Sequence, residues 1–107
     1  MKTIQVSQMS SPRTGNPVAN QFIIRSEGSF INDVGQIKKS HIETFQSYNS
    51  IIARKIHKGW QMDIELDEYY HNYSRTTSKY LTQFLNMNTK ERTKAIKEKD
   101  ITLTNLN

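Results

Sequence analysis

Hydrophobic and polar positions alternate with a period of two in several parts of this chain, a pattern typical of strands. Thr3–Met9 alternates regularly, whereas Gln21–Arg25 is apolar on both faces, as in a buried central strand. The clearest alternation, over Trp60–Asp67, predicts one buried face and one acidic, solvated face. The buried set is expected to be Trp60, Met62, Ile64 and Leu66, and the exposed set Asp63 and Glu65.

Turn-forming residues separate these strands. Both prolines lie in Ser10–Pro17, which predicts a surface loop after the first strand. Ser26–Ser29 is turn-like and is expected to end the central strand, and Asn32–Ser40, with Gly35 at its centre, predicts a flexible loop at a hairpin tip. The next segments predict strands at Thr44–Tyr48 and Ser50–Ile56, a bulge or sharp bend near Ser47–Asn49, and a turn at His57–Gly59.

The last third of the chain changes to the helical period. Apolar residues recur at i,i+4 over Thr76–Met87 and predict an amphipathic helix. Asn88 and Glu91 have the spacing of a capping box, which predicts a second, more polar helix to about Lys99. Ile101–Leu106 alternates again and suits a strand at a sheet edge. The candidate N-caps of the first helix are Ser74, Thr76 and Thr77.

Together these elements predict a single α+β domain over residues 1–107. We expect a small, strongly bent antiparallel sheet or a partly open barrel, with one amphipathic helix across it and a second short polar helix. No apolar run approaches the roughly 20 residues that a membrane span needs, and residues 1–10 lack the apolar segment of a signal peptide. A cytoplasmic location is therefore expected.

Charge favours an anionic partner. The chain has 15 Lys and Arg against 10 Asp and Glu, a net charge of +5. A basic group precedes Trp60 and an acidic group follows it. A hairpin could bring the basic side chains together on phosphates, with an aromatic ring stacking on a base, although solubility alone accounts for such charges equally well. The candidate nucleic-acid-binding residues are Lys38, Lys39, Arg54, Lys55, Lys58 and Tyr48.

Catalytic and metal-binding signals are weak. The chain has no Cys, its four glycines are scattered singly, and no nucleophile elbow is present. Glu68 and His71 have the i,i+3 spacing of a metal-ligand pair, but no second such pair exists. We therefore expect neither an enzyme, a metal site nor a cofactor, and a nucleic-acid-binding protein, RNA before DNA, is the leading interpretation.

A second interpretation belongs to another class, an inhibitor that binds a host protein such as a defence nuclease. The acidic strand face and the tyrosine-rich segment 69–75 would then form the contact surface. The same tyrosines could stack on bases beside Arg75 and Lys79, although Tyr73 and Tyr80 also suit packing between helix and sheet. A contiguous basic patch would favour the first interpretation.

Several sequence blocks carry a family resemblance. They are GNPVANQFII at 15–24, FQSYNSIIA at 45–53, DEYYHNYSRTTSKY at 67–80 with QFL at 83–85, and LTNLN at 103–107. As a set they resemble a family of small proteins from bacteriophages and mobile elements of Gram-positive bacteria, which implies an origin but no activity. Against that family, Gly28–Glu43 looks like an insertion. In size and strand order the chain is also similar to small regulatory proteins of conjugative plasmids with a PUA-like fold, a compact β-barrel, which implies RNA binding.

Overall fold

The structure, a computed structural model, describes residues 4–107, so the predicted strand start at Thr3 lies outside the described residues. The elements in chain order are β1 (Ile4–Ser10), β2 (Pro17–Ile31), β3 (Ile37–Ser47), β4 (Ser50–Lys58), β5 (Gln61–Asp67), α1 (Arg75–Leu85), α2 (Thr89–Lys97) and β6 (Ile101–Thr104). The predicted loop at Ser10–Pro17 and the predicted final strand are both present.

All described strands belong to one sheet, in which neighbours in space are also neighbours in sequence. Pairing is antiparallel from β1 to β5, and only β5 and β6 are parallel. A parallel pair needs a crossover connection, and this crossover contains both helices. The sheet is open, with β1 and β6 at its edges. The α+β class is confirmed, and the sheet does not close into a barrel.

The core lies where α1 crosses β3 and β4. Ser74 caps the helix by accepting a hydrogen bond from the Thr77 backbone N–H at 3.1 Å. The ring of Phe84 lies 5.7 Å from that of Phe45, centroid to centroid. The predicted amphipathic helix is therefore confirmed. The buried apolar side chains of α1 are Tyr80, Leu81, Phe84 and Leu85. Those of the sheet beneath the helix include Phe45, Ala53, Leu66 and Ile101.

α2 begins with the predicted capping box, in which Asn88 and Glu91 each accept a hydrogen bond from the other's backbone N–H. The helix ends at Lys97, two residues before the predicted end. Its buried Arg92 donates to the hydroxyls of Ser78 and Thr82 on α1 and so joins the two helices. Burial lowers the pKa of Arg92.

The turn predicted at Ser26–Ser29 is wrong. β2 continues through these residues to Ile31 and pairs without a break with β3. Gly28 is closely packed here, because a Cβ atom at this position would lie 2.9 Å from the Ser40 hydroxyl, which would have to shift. The chain reverses only at residues 32–36, so the part of the predicted loop from residue 37 onward belongs to β3.

The predicted burial of β5 is correct at one end and wrong at the other. Ile64 and Leu66 are buried, but Trp60 is 97% exposed and Met62 46% exposed. The helices cover only the end of the sheet that contains Leu66, whereas Trp60 lies in the β4–β5 turn. Asp63 and Glu65 are half-exposed and ion-paired instead of fully solvated.

The sharp bend predicted near Ser47–Asn49 is a two-residue turn in which Tyr48 has a φ of 55°. The bulge itself lies in the partner strand, because Phe45 pairs with Ala53 while Gln46 pairs with Ile51. Ile52 is the extra residue, and it is buried. Residues 22–24 of β2 are apolar and expected to be well buried, but they are only partly buried. One face of that strand has no helix packed against it.

Candidate functional site

Two strands extend well beyond the rest of the sheet. Within the described residues, β1 pairs with β2 only as far as Ser26, and β4 pairs with β3 only from His41 onward. The remaining two-stranded segment, residues 28–40, is called the arm. The Asn32 side chain closes its tip by accepting from the backbone N–H groups of Val34 and Gln36. Local hydrogen bonds therefore hold the arm in a defined reversal.

A cleft of about 620 Å³ separates the arm from the β4–β5 turn. Its volume is within the usual range for ligand sites, roughly 300–1,000 Å³. One wall comes from both strands of the arm and the other from the turn. The lining residues are Phe30, Ile31, Asn32, Asp33, Lys38, Lys39, Lys58, Gly59, Trp60 and Gln61.

Three of the six predicted nucleic-acid-binding residues line this cleft: Lys38, Lys39 and Lys58. Against one carboxylate, Asp33, they leave the lining with a net charge of +2. Lys38 and Lys39 are exposed, and within residues 4–107 neither belongs to an ion pair. Lys58 binds Asp63 at 3.0 Å. The first two lysines are therefore the groups most available to an anionic ligand.

Trp60 is the candidate site residue that the sequence reasoning missed. The alternating pattern places it among the buried residues, but Gly59, with a φ of 63°, forms the turn in which the indole stands exposed at the cleft. A fully exposed Trp is unusual, because this side chain normally buries most of its large apolar surface. Its position directly after a turn glycine is the one sequence signal that could have indicated exposure.

Arg54 and Lys55 lie away from the cleft. The Arg54 guanidinium binds Glu65 at 2.8 Å on the sheet face opposite the helices. The Lys55 ammonium lies 4.4 Å from the centre of the Phe84 ring, on the helix side. Burial lowers the pKa of Lys55, and the attraction of Glu43 partly offsets this. Both cations are thus engaged within the fold.

Tyr48 lies at the opposite end of β3 from Lys39, roughly 30 Å away along the strand. It lines a second cleft of about 540 Å³, beside the start of α1. Tyr70, Tyr73 and several hydroxyl side chains share that lining, but no charged residue does. The structure therefore does not bring Tyr48 together with the basic residues.

Glu68 and His71, the candidate metal-ligand pair, both lie in the turn that follows β5. His71 donates from Nδ1 to the backbone carbonyl of Asp67 at 2.9 Å. Within residues 4–107, no three His, Asp or Glu side chains form a group that could hold a metal ion. In the same range, no helix is long and apolar enough to cross a membrane.

Fold and cleft together define a small α+β protein with an open six-stranded sheet and a cationic, aromatic cleft. The chain belongs to a family of unknown function, DUF8033, whose model matches residues 6–102. No curated protein matches the sequence, and no solved structure matches the fold.

Proposed function

We propose that this protein binds single-stranded nucleic acid, RNA before DNA, in the cleft between the arm and the β4–β5 turn. The observation that carries the proposal is that Lys38, Lys39, the Asp63-paired Lys58 and the almost fully exposed Trp60 line one cleft. The role is non-enzymatic and regulatory, and its setting in a phage or plasmid rests on the resemblance of the sequence blocks.

Each part of the cleft suits one part of a nucleotide. The lysine ammonium groups suit phosphates, which supply most of the affinity in sequence-independent binding. The indole face of Trp60 suits a base, since stacking on an aromatic side chain contributes about 1–3 kcal/mol per base. Stacking on an exposed side chain requires an unpaired base, which favours a single strand over a duplex.

The competing interpretation, an inhibitor that binds a host protein, loses support from the acidic strand. Asp63 and Glu65 are paired with Lys58 and Arg54, and Asp67 is buried. Little free negative charge is left on that face for a basic partner. Exposed Tyr69 and Tyr73 remain as the aromatic contacts of this interpretation.

The proposal is tested by the salt dependence of binding. The probe is a fluorescein-labelled oligouridylate of roughly 12 nucleotides, within the usual site sizes of single-strand binders. Each neutralised phosphate contributes about −0.7 to the slope of log affinity against log salt. The double variant Lys38→Ala/Lys39→Ala should therefore flatten the slope by up to about 1.4, as measured by fluorescence anisotropy from about 50 to 200 mM salt.

A charge-matched control separates the cleft from the overall charge. Lys90→Ala/Lys97→Ala removes two exposed lysines from α2 and should leave the slope unchanged. The same measurement with the deoxy strand and with a duplex tests the order of preference. Absence of binding at about 50 mM salt, or equal slopes for both double variants, would contradict the proposal.

A further inference from the structure

β1 is an unprotected edge of the sheet. Within the described residues it pairs only with β2, so the backbone N–H and C=O groups on its outer side have no strand partner. The opposite edge differs, because β6 has only four residues and the chain after it folds back onto Asp67. An exposed edge strand is a template on which another strand can pair.

The regular part of β1, before Gln8, has none of the usual protections. Edge strands in natural proteins are commonly blocked by charged side chains, prolines or bulges. Ile4–Ser10 has no charged residue and no proline, and its one irregularity lies at the end, between Gln8 and Ser10. Ile4 is 66% exposed and Val6 62% exposed. The regular part of the strand therefore has an unpaired backbone edge and, on one face of the sheet, exposed apolar side chains.

We propose that β1 pairs antiparallel with β1 of a second copy of this chain. A two-fold contact sets each strand against its own copy, so a charge near the centre of the contact would lie close to the same charge of the other copy. Ile4–Ser10 is neutral in a chain of net charge +5, and it therefore allows two copies to approach without like-charge pairs in the ladder.

The side chains of β1 define the register of this pairing. With Gln5 opposite Gln5 of the second copy, Ile4 of each copy lies opposite Val6 of the other. Cross-strand pairs of β-branched side chains stabilise such ladders. On the same face, Val6 lies beside partly buried Ile24 of β2, so the apolar surface continues from each copy into the contact. In the dimer, the sheets of the two copies join at β1 into one continuous sheet.

Sedimentation velocity tests the association. The wild-type chain should form a dimer with a dissociation constant below about 1 mM. Val6→Lys sets two ammonium groups near each other in the contact and should be monomeric, with an unchanged circular dichroism spectrum. Val34→Lys is the matched control, because Val34 is 77% exposed at the arm tip, and this variant should dimerise like the wild type.

A cross-link tests the register independently of folding effects. The chain has no cysteine, so Gln5→Cys can form a disulfide only between copies, and facing antiparallel residues have suitable Cα separations. Gln5→Cys should cross-link much faster than Val34→Cys under the same oxidant. A wild-type monomer at about 1 mM, a Val6→Lys dimer, or equal cross-linking rates would each overturn the proposal.

Discussion

At the residue scale, Asp67 shows how one carboxylate can hold several chain segments together. The alternation of β5 places it with the solvated acids, yet it is only 1% exposed. Oδ2 accepts from the backbone N–H groups of Tyr69 and Tyr70, and Oδ1 accepts from Leu106 and from the Asn107 side chain. Burial alone would raise the pKa of Asp67, but these hydrogen bonds outweigh it and lower the pKa.

The first residue-scale prediction concerns Asp67→Asn. An amide keeps one acceptor oxygen and replaces the other with a donor, which leaves two donors without a partner. We expect a loss of roughly 2–4 kcal/mol in the free energy of unfolding at pH 7, measured with urea. Asp63→Asn, which alters one surface ion pair, should cost no more than about 1 kcal/mol.

The lowered pKa of Asp67 also gives this stabilisation a pH dependence. Because the folded pKa lies below the unfolded value, the contribution is complete above the unfolded pKa of about 3.9 and is lost as the pH falls through the folded pKa. The stability difference between wild type and Asp67→Asn should therefore shrink in acid below about pH 4. A difference that stays constant over this range would show that the charge of Asp67 contributes nothing.

Trp60 carries the second residue-scale prediction. Because its side chain is almost fully exposed, Trp60→Ala should change the free energy of unfolding by less than about 0.5 kcal/mol. If the indole stacks on a base, the same change should weaken oligouridylate binding about 5- to 150-fold. Trp60→Phe, which keeps a ring, should retain part of the affinity.

Trp60 is the sole tryptophan, so its fluorescence reports on this residue alone. Binding of the oligonucleotide should quench it. Unchanged fluorescence together with unchanged affinity of Trp60→Ala would place the binding surface elsewhere on the protein.

At the scale of elements, α1 is the contact that gives the sheet a core. Phe84 is buried against Phe45 and beneath the Lys55 ammonium, and Leu81 is fully buried beside it. The helix depends on Ser74 at its start and on Asn86, with a φ of 55°, at its end. A helix of 11 residues has little stability by itself in water, so this packing holds it in place.

Phe84→Ala tests the contribution of α1. Removing a buried ring leaves a cavity and should cost roughly 3–5 kcal/mol, much of the stability expected of a domain this small. The melting temperature should fall steeply or the cooperative transition should be lost. Gln83→Ala, on the exposed side of the same helix, removes one hydrogen bond to Ser10 and should have a small effect. An unchanged melting temperature of Phe84→Ala would show that the helix is peripheral.

At the scale of the whole molecule, the two helices pack against only one end of the sheet and leave the other end exposed. The helices bury residues around Leu66 and Ile101, while the arm and the β4–β5 turn extend beyond them. Strands that follow each other in sequence also lie side by side, so residues distant in sequence, such as Lys38 and Trp60, line the same cleft. The open end is therefore where a ligand can approach.

The sequence alone determined the local features of this protein. The loop at Ser10–Pro17, the capping box at Asn88, the helical period of α1 and the final edge strand each depend on residues a few positions apart. Such features arise from backbone preferences, short-range hydrogen bonds and periodicity, all of which can be read along the chain. Lys38, Lys39 and Lys58 could also be selected as candidates, because charge is a property of the residue itself.

Only the tertiary structure decided which faces are covered. Alternation places Trp60 and Leu66 on the same face of one strand segment. It does not show how far along that face the helices pack, and as a result Trp60 is exposed while Leu66 is buried. Gly28 looks like a turn residue until Ser40 is packed against it. Arg54 and Lys55 look free until Glu65 and Phe84 are placed beside them. Burial and pairing depend on partners distant in sequence, so a pattern read along the chain cannot contain them.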